Sequence, residues 1–245
     1  MGVDYQEFNG INRNLRGNAL KRYVKSLPPL TNVQKEILVG TLLGDSTMKT
    51  GGAANRPAQN QFSFTQKASM VEYVQQMYMN FKQFVGAQPR FGKPSGSSTS
   101  REGSYAFKTY RVASFRYFAV LFYGTEFPYT KSVPKNIGKL LTARSLAYWY
   151  MDDGSFGQRR VVLHTQGFSH EDQVILKAAL KDKFDLDFSI VRDRRHYKLS
   201  LRKHSNQTFF ELVYPYIYSC FSYKLPQRFL NRIRQESFNH YSRFF

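Results

Sequence analysis

The sequence predicts an α+β fold made of two copies of one helix–strand–strand–helix unit. Three landmarks carry that prediction. "TQKASMVEYV" (65–74) and "TQGFSHEDQV" (165–174) share Thr-Gln, a two-residue step, Ser and then a helical pattern. "YTKSVP" (129–134) and "SYKLP" (222–226) share Tyr, Lys, a short apolar step and Pro. Two apolar helices end in aspartate, at Asp45 in "ILVGTLLGDS" and at Asp153 in "LAYWYMDDG". The landmarks recur in the same order roughly a hundred residues apart, as a duplicated unit requires.

The elements follow from local pattern. Residues 1–30 mix polar and basic positions and stop at Pro28-Pro29, which reads as an N-terminal extension. The first repeat then covers 31–134 and the second 135–245, the second closing with a basic C-terminal helix. Thr31 and Gln34 form a capping box for a helix through "VQKEILVGTLLGD". "GGAANRPAQN" is a loop, and "QFSFTQ" alternates as a half-buried strand does, with Phe62, Phe64 and Gln66 on one side. Ser69 and Glu72 signal a helix start, and Val71, Val74, Met77, Tyr78, Phe81 and Phe84 continue it to Gly86. Two strand segments follow around a Gly/Ser-rich loop, the second being "YAFKTYRV", then an aromatic helix over 114–123. In the second half the order is helix "ARSLAYWYMDD", strand "RVVLHTQ", a helix capped by Ser169 and Asp172, and strands "FSIVRD" and "YKLSLRK". A hairpin tip at 192–195 joins those two strands, and an apolar helix spans about 206–218.

The 245 residues carry a net charge of +19, which repels itself unless a polyanion neutralises it. Nucleic acid and an anionic membrane surface are the candidates. The 22 Phe and 17 Tyr supply a core that a disordered basic tail lacks. No apolar run reaches the ~18 residues of a membrane span, and a protein of the membrane surface would leave the duplicated Thr-Gln and Asp positions unexplained. The first residues, "MGVDYQ", show neither a secretory signal nor a full acylation motif, so an intracellular location is expected. Cys220 is the single cysteine, which excludes an intrachain disulfide and a cysteine zinc site. The five histidines show no metal-ligand spacing.

Gly40 and Gly44 lie four apart on one helical face, where they let a second helix approach closely. The expected partner is the helix 146–153. A parallel pairing would bring both C-termini, and with them Asp45 and Asp153, together. The second helix sets Tyr148 and Asp152 where the first has the two glycines, so an asymmetric interface is expected. Carboxylates at helix C-termini are disfavoured by the dipole, and a divalent cation reverses that sign. Hard cations take oxygen ligands from carboxylates, phosphate and water, so an acidic pair in a basic protein points to metal-assisted phosphodiester hydrolysis. Either aspartate alone would equally end its helix in an Asx turn; the duplication is what favours the metal.

"LVGTLLGDS" and "LAYWYMDDG" resemble the two signature helices of the LAGLIDADG homing endonucleases in their single-chain, intron-encoded form. The resemblance runs from about 31 to 226 and includes both Thr-Gln strand ends and both Lys-x-Pro segments. It implies two pseudo-symmetric αββαββα units with a central two-helix interface and antiparallel sheets that lie on DNA. It implies that Asp45 and Asp153 hold Mg²⁺ or Mn²⁺, with backbone carbonyls of Gly44 and Asp152 beside them. Gln66 and Gln166 match the active-site glutamines, and Lys131 and Lys224 the lysines near the scissile phosphates. A monomer acting on a long double-stranded site is implied, as is an intron-borne gene of the kind common in mitochondria and chloroplasts. Ser46 stands where the family's first motif usually ends in glycine.

Strand parity then gives the DNA-contacting candidates. They are Arg56, Gln59, Gln61, Ser63, Lys108, Tyr110 and Arg111 in the first half. In the second they are Gln158, Arg159, Arg160, Arg192, Arg194, Arg195, Lys198 and Arg202. A shift of one residue on any strand exchanges that strand's set. The same scaffold also serves non-cleaving proteins, namely intron RNA maturases and DNA-binding regulators. Such members can lose the carboxylates, and this sequence keeps both.

Overall fold

A computed structural model describes residues 15–49, 60–94, 102–125 and 129–231. Candidates Arg56 and Gln59 lie outside the described residues. The chain forms two compact units by internal contact. One holds the residues up to Leu38 together with Asp45–Lys131; the other holds Val39–Gly44 together with Ser132 onward.

The first unit begins with α1 (Gly17–Ser26), followed by α2 (Asn32–Leu43), whose last residues belong to the second unit. The Thr31–Gln34 capping box forms: the Thr31 N–H donates to Gln34 Oε1 at 2.9 Å, and the Gln34 N–H to Thr31 Oγ1 at 3.2 Å. Then come β1 (Thr47–Lys49), β2 (Gln61–Lys67), α3 (Val71–Phe81), β3 (Arg90–Gly92), β4 (Ser104–Lys108) and α4 (Arg116–Tyr123). The strands form one antiparallel sheet in the order β1-β2-β4-β3. Phe62 and Phe64 point from β2 into a core with Tyr73, Phe81, Phe107 and Phe115, which accounts for much of the aromatic content. The Phe62–Phe81 and Phe64–Tyr73 ring centroids are 5.1 and 5.2 Å apart.

The second unit has α5 (Ile137–Leu140), α6 (Ala143–Asp153), β5 (Gly154–Gly157), β6 (Arg160–Leu163), α7 (His170–Phe184), β7 (Phe188–Asp193), β8 (His196–Leu201) and α8 (Asn206–Val213). Its sheet order, β5-β6-β8-β7, repeats the first. From α2 to α4 and again from α6 to α8 the order is αββαββα with antiparallel sheets, as expected. Within the second unit, α6 buries every residue from Ser145 to Met151, as a helix apolar on all sides must.

The last residues of α2 pack on α6. A Cβ on Gly40 would fall 2.3 Å from Ser145 O and 2.8 Å from Tyr148 Cβ, and one on Gly44 2.5 Å from Asp152 Cβ. Both chains advance in the same direction through these contacts, so the helices run parallel and their backbones meet at the glycines. The expected asymmetry, glycine against Tyr148 and Asp152, is the arrangement found.

Local details differ from expectation where short-range chemistry wins. Ser69 and Glu72 do not cap α3: residues Ala68–Met70 form a 3₁₀ turn, and the Ser69 N–H donates to the Glu102 carboxylate. The Ser169–Asp172 capping box does form on α7. Strands β1 and β5, which the αββαββα order requires, have no signal in the residue pattern, being only 3 and 4 residues long. β4 stops at Lys108 and β6 at Leu163, short of their predicted ends. α8 ends at Val213 because Pro215 lacks the N–H that a helix needs, and a 3₁₀ turn follows.

Candidate active site

Each signature helix delivers an aspartate at its end, and each aspartate has a lysine near the same helix end. In the first unit, Asp45 is exposed just past α2, and Gln66 Nε2 donates to its Oδ2 at 2.8 Å. Gln66 lies on β2 with the parity of Phe62 and Phe64, which turns its amide towards the helix end. Lys131 is half-buried, and its Nζ donates to Ser46 O at 3.1 Å, one residue beyond Asp45.

In the second unit Lys224 is 8% exposed and makes no solvated surface charge. Its Nζ donates to Met151 O at 2.6 Å and to Tyr150 O at 3.3 Å, which places a cation on the negative end of α6. The Tyr150 hydroxyl returns a hydrogen bond to Lys224 O at 2.6 Å. Burial of that hydroxyl pushes its pKa far above the ordinary phenol value, so it stays a donor. Gly154 is required by the same ring, since a Cβ there would lie 2.0 Å from Tyr150 Cδ2. Asp152 and Asp153 are half-exposed. The Asp152 side chain lies against Gly44, the position its own residue matches in the other motif.

The two glutamines are placed differently. Gln166 Nε2 donates to Asp193 Oδ2 at 2.8 Å and lies 3.5 Å from His164 Nδ1. Sheet register explains this. Thr47 pairs with Ser63, whereas the matching Ser155 pairs with Val162. Counting forward, the rung of Gln66 corresponds to Thr165, which is buried and donates from its hydroxyl to Gln173 Oε1 at 3.1 Å. Gln166 therefore sits one rung beyond the place that the shared Thr-Gln string implies.

His164 occupies the rung beside Asp153. Its N–H donates to Asp153 O at 2.8 Å, and its Nε2 is 2.9 Å from Ser155 Oγ. Nδ1 and Nε2 of the ring therefore face an amide nitrogen and a hydroxyl, one on each side. Desolvation holds the imidazole pKa below its ordinary value; Lys198 and Lys224 push the same way and Asp193 opposes them. Asp193 is held below the usual carboxylate range by hydrogen bonds from Gln166 and from Lys198, whose Nζ is 3.2 Å away. His164 adjoins the Thr-Gln string in the sequence but carries no role there, and Asp193 has no sequence signal; register brings the two beside Gln166.

The face of each sheet away from its core is open. In the first it carries Gln61, Ser63 and Lys108, as expected, with Lys49 and Lys67, which parity also permits. Gln61 spends its amide on Thr109 O at 2.7 Å. Tyr110 packs edge-on against Tyr23 at 5.8 Å and beside Gly86, so it does not stand with Lys108; Arg111 is exposed nearby. In the second sheet Arg160, Lys198 and Arg202 share the open-face parity with Ser189 and His196. Gln158, Arg159, Arg194 and Arg195 lie in the hairpin turns, and Gln158, Arg159 and Arg194 have positive φ. Arg192 has the opposite parity and donates from Nε to Arg194 O at 3.1 Å. Among the described residues, no helix is long and apolar enough to cross a membrane.

Comparison with known proteins agrees with this architecture. The model of the LAGLIDADG DNA endonuclease family matches residues 35–209. A probable intron-encoded endonuclease 1 of Wickerhamomyces canadensis is 29% identical over 84% of this chain and 89% of its own. DNA endonuclease I-ChuI of Chlamydomonas applanata is 26% identical over 80% and 95%. The homing endonuclease I-WcaI, solved bound to its DNA recognition sequence, superposes with a TM-score of 0.79 at 27% identity, covering 88% of this chain and 98% of that one. With the duplicated αββαββα order and two aspartate-ended helices packed through glycine, this chain belongs to the LAGLIDADG DNA endonuclease family.

Proposed function

We propose that the protein is a site-specific homing endonuclease that hydrolyses both strands of a long DNA target with a divalent metal, Mg²⁺ or Mn²⁺. The observation that carries this reading is the parallel packing of two signature helices that end in Asp45 and Asp153.

The donors suit a hard cation. Among the described residues no three His, Cys, Asp or Glu side chains cluster. Asp45 and the Gly44 carbonyl, or Asp153 and the Asp152 carbonyl, would hold the cation and leave its other places to water and phosphate, as Mg²⁺ prefers. The metal would supply charge stabilisation at the attacked phosphate and a more acidic bound water. Gln66 fixes the Asp45 carboxylate through Oδ2. Lys131 and Lys224 place positive charge beside the two helix ends, where it favours the extra negative charge of the transition state. The open sheet faces supply Arg and Lys for phosphates and base edges.

The two halves would act on one strand each, with the protein a monomer, which sedimentation with and without target DNA checks. The compartment reading is organellar, supported by relatives named as intron-encoded. Selection of cleaved molecules from a randomised duplex library in Mg²⁺ identifies the target. On it, Asp45→Asn and Asp153→Asn should each abolish double-strand cleavage while DNA binding persists. Unimpaired double-strand cutting in either variant would sink the metal assignment. Rescue of intron splicing with no DNA cut would replace the enzyme reading with a maturase.

A further inference from the structure

Helix α1 lies outside the αββαββα order, and none of its residues is buried. Ten residues of helix are marginal in water without a packing partner. Its anchor is Tyr23, whose hydroxyl donates to Gln83 O at 2.9 Å while its ring meets Tyr110. Residues 15–31 contain Arg16, Lys21, Arg22 and Lys25 and no acidic residue, and all four cations are exposed. A cleft of about 700 Å³ runs beside the helix, lined by Leu20, Lys21, Val24 and Lys25 on one side and Gln61 and Arg111 on the other.

Gln61 is the first residue of β2 and pairs with Lys49, so the cleft opens at the end of the first sheet's open face. At that end two of the candidate base readers are engaged elsewhere. Gln61 is bound to Thr109 O, and Tyr110 is packed under α1. What remains exposed around the cleft is positive charge, from Lys21, Lys25 and Arg111 with Arg16 and Arg22 beside them, which suits contact with the phosphate backbone. The apolar residues Leu20 and Val24 line the cleft, which is not how a helix would present itself to a membrane.

We propose that α1 and its cleft bind the phosphate backbone of duplex DNA beyond the end of the first sheet, as a sequence-independent clamp. This rests on the DNA-binding reading above. Phosphate contacts release counterions, so each one steepens the salt dependence of binding by about 0.9 in log–log slope.

The test uses the full chain and a random duplex of about 40 base pairs, titrated between about 50 and 200 mM salt, because phosphate contacts need no target sequence. The variant K21A/R22A/K25A should show a slope shallower by about 2 to 3 than wild type and bind at least about tenfold more weakly at physiological salt. The control K177A/K183A removes two exposed cations from α7 and should keep the wild-type slope. An unchanged slope in the α1 variant overturns the clamp, as does an equal loss in the control. A deficit confined to a hairpin RNA probe also overturns it. If the wild-type chain does not bind the duplex at the lowest salt, the DNA reading itself fails; wild-type binding with an indifferent α1 variant sinks the clamp alone.

Discussion

Lys224 places a buried positive charge at the end of α6, where it is bound to two carbonyls. Lys224→Met keeps the stem and removes the charge. It should cost on the order of 2–4 kcal/mol in urea unfolding, from lost charged hydrogen bonds and helix-end stabilisation. Lys131→Met, which removes a half-buried amine bound to Ser46 O, should cost less than Lys224→Met. His164 provides a pH signature. The fold lowers its pKa, so the unfolded chain binds the proton more readily, and stability should fall as pH drops through the ordinary imidazole range towards the folded value. Thermal melts from neutral to mildly acidic pH should show a smaller fall for His164→Gln than for wild type. The glutamines give a third contrast. Gln66 bonds Asp45, so Gln66→Ala should slow cutting of one strand about ten- to hundredfold, the value of one hydrogen bond to a charged group. Gln166→Ala, which loses Asp193 instead, should leave both strand rates within about threefold of wild type, as followed by strand-specific end labels.

Among the elements, the contact between α2 and α6 is the least tolerant of change. Gly40→Ala would drive a methyl group into Ser145 O, a backbone atom that cannot rotate away, so a loss of at least about 1–3 kcal/mol is expected. At Gly44 the obstacle is the Asp152 side chain, so Gly44→Ala should be less damaging in an Asp152→Gly background. Urea denaturation of the two single variants and the double variant measures that coupling. This contact was legible in the sequence, because glycines four apart in a helix have few uses other than close approach. The long elements were legible too: α6 and β7 match their predicted spans, and α7 begins at its predicted Ser169–Asp172 capping box. The short strands β1 and β5 were not, since three or four residues cannot display a period. Ser69 misled because its real partner, Glu102, is brought near only by the folded sheet.

For the molecule as a whole, the duplication was legible from strings of residues, but its register was not. The strings align Gln66 with Gln166, while the hydrogen-bond ladders align Gln66 with Thr165. A one-residue difference between the copies leaves the letters matched and moves the side chains, so the second site gains His164 and Asp193 where the string predicted a mirror image. A further asymmetry concerns ancestry and engineering. Val39–Gly44 are encoded in the first repeat but take their contacts with the second. The gene is therefore not divisible at the point where its sequence repeats. A fragment beginning at Ser132 would carry α6 with its Ser145 and Tyr148 surface uncovered, and an expression library cut at the repeat boundary should yield an insoluble second half. Restoring the strand of coding sequence for residues 31–44 ahead of it should recover solubility.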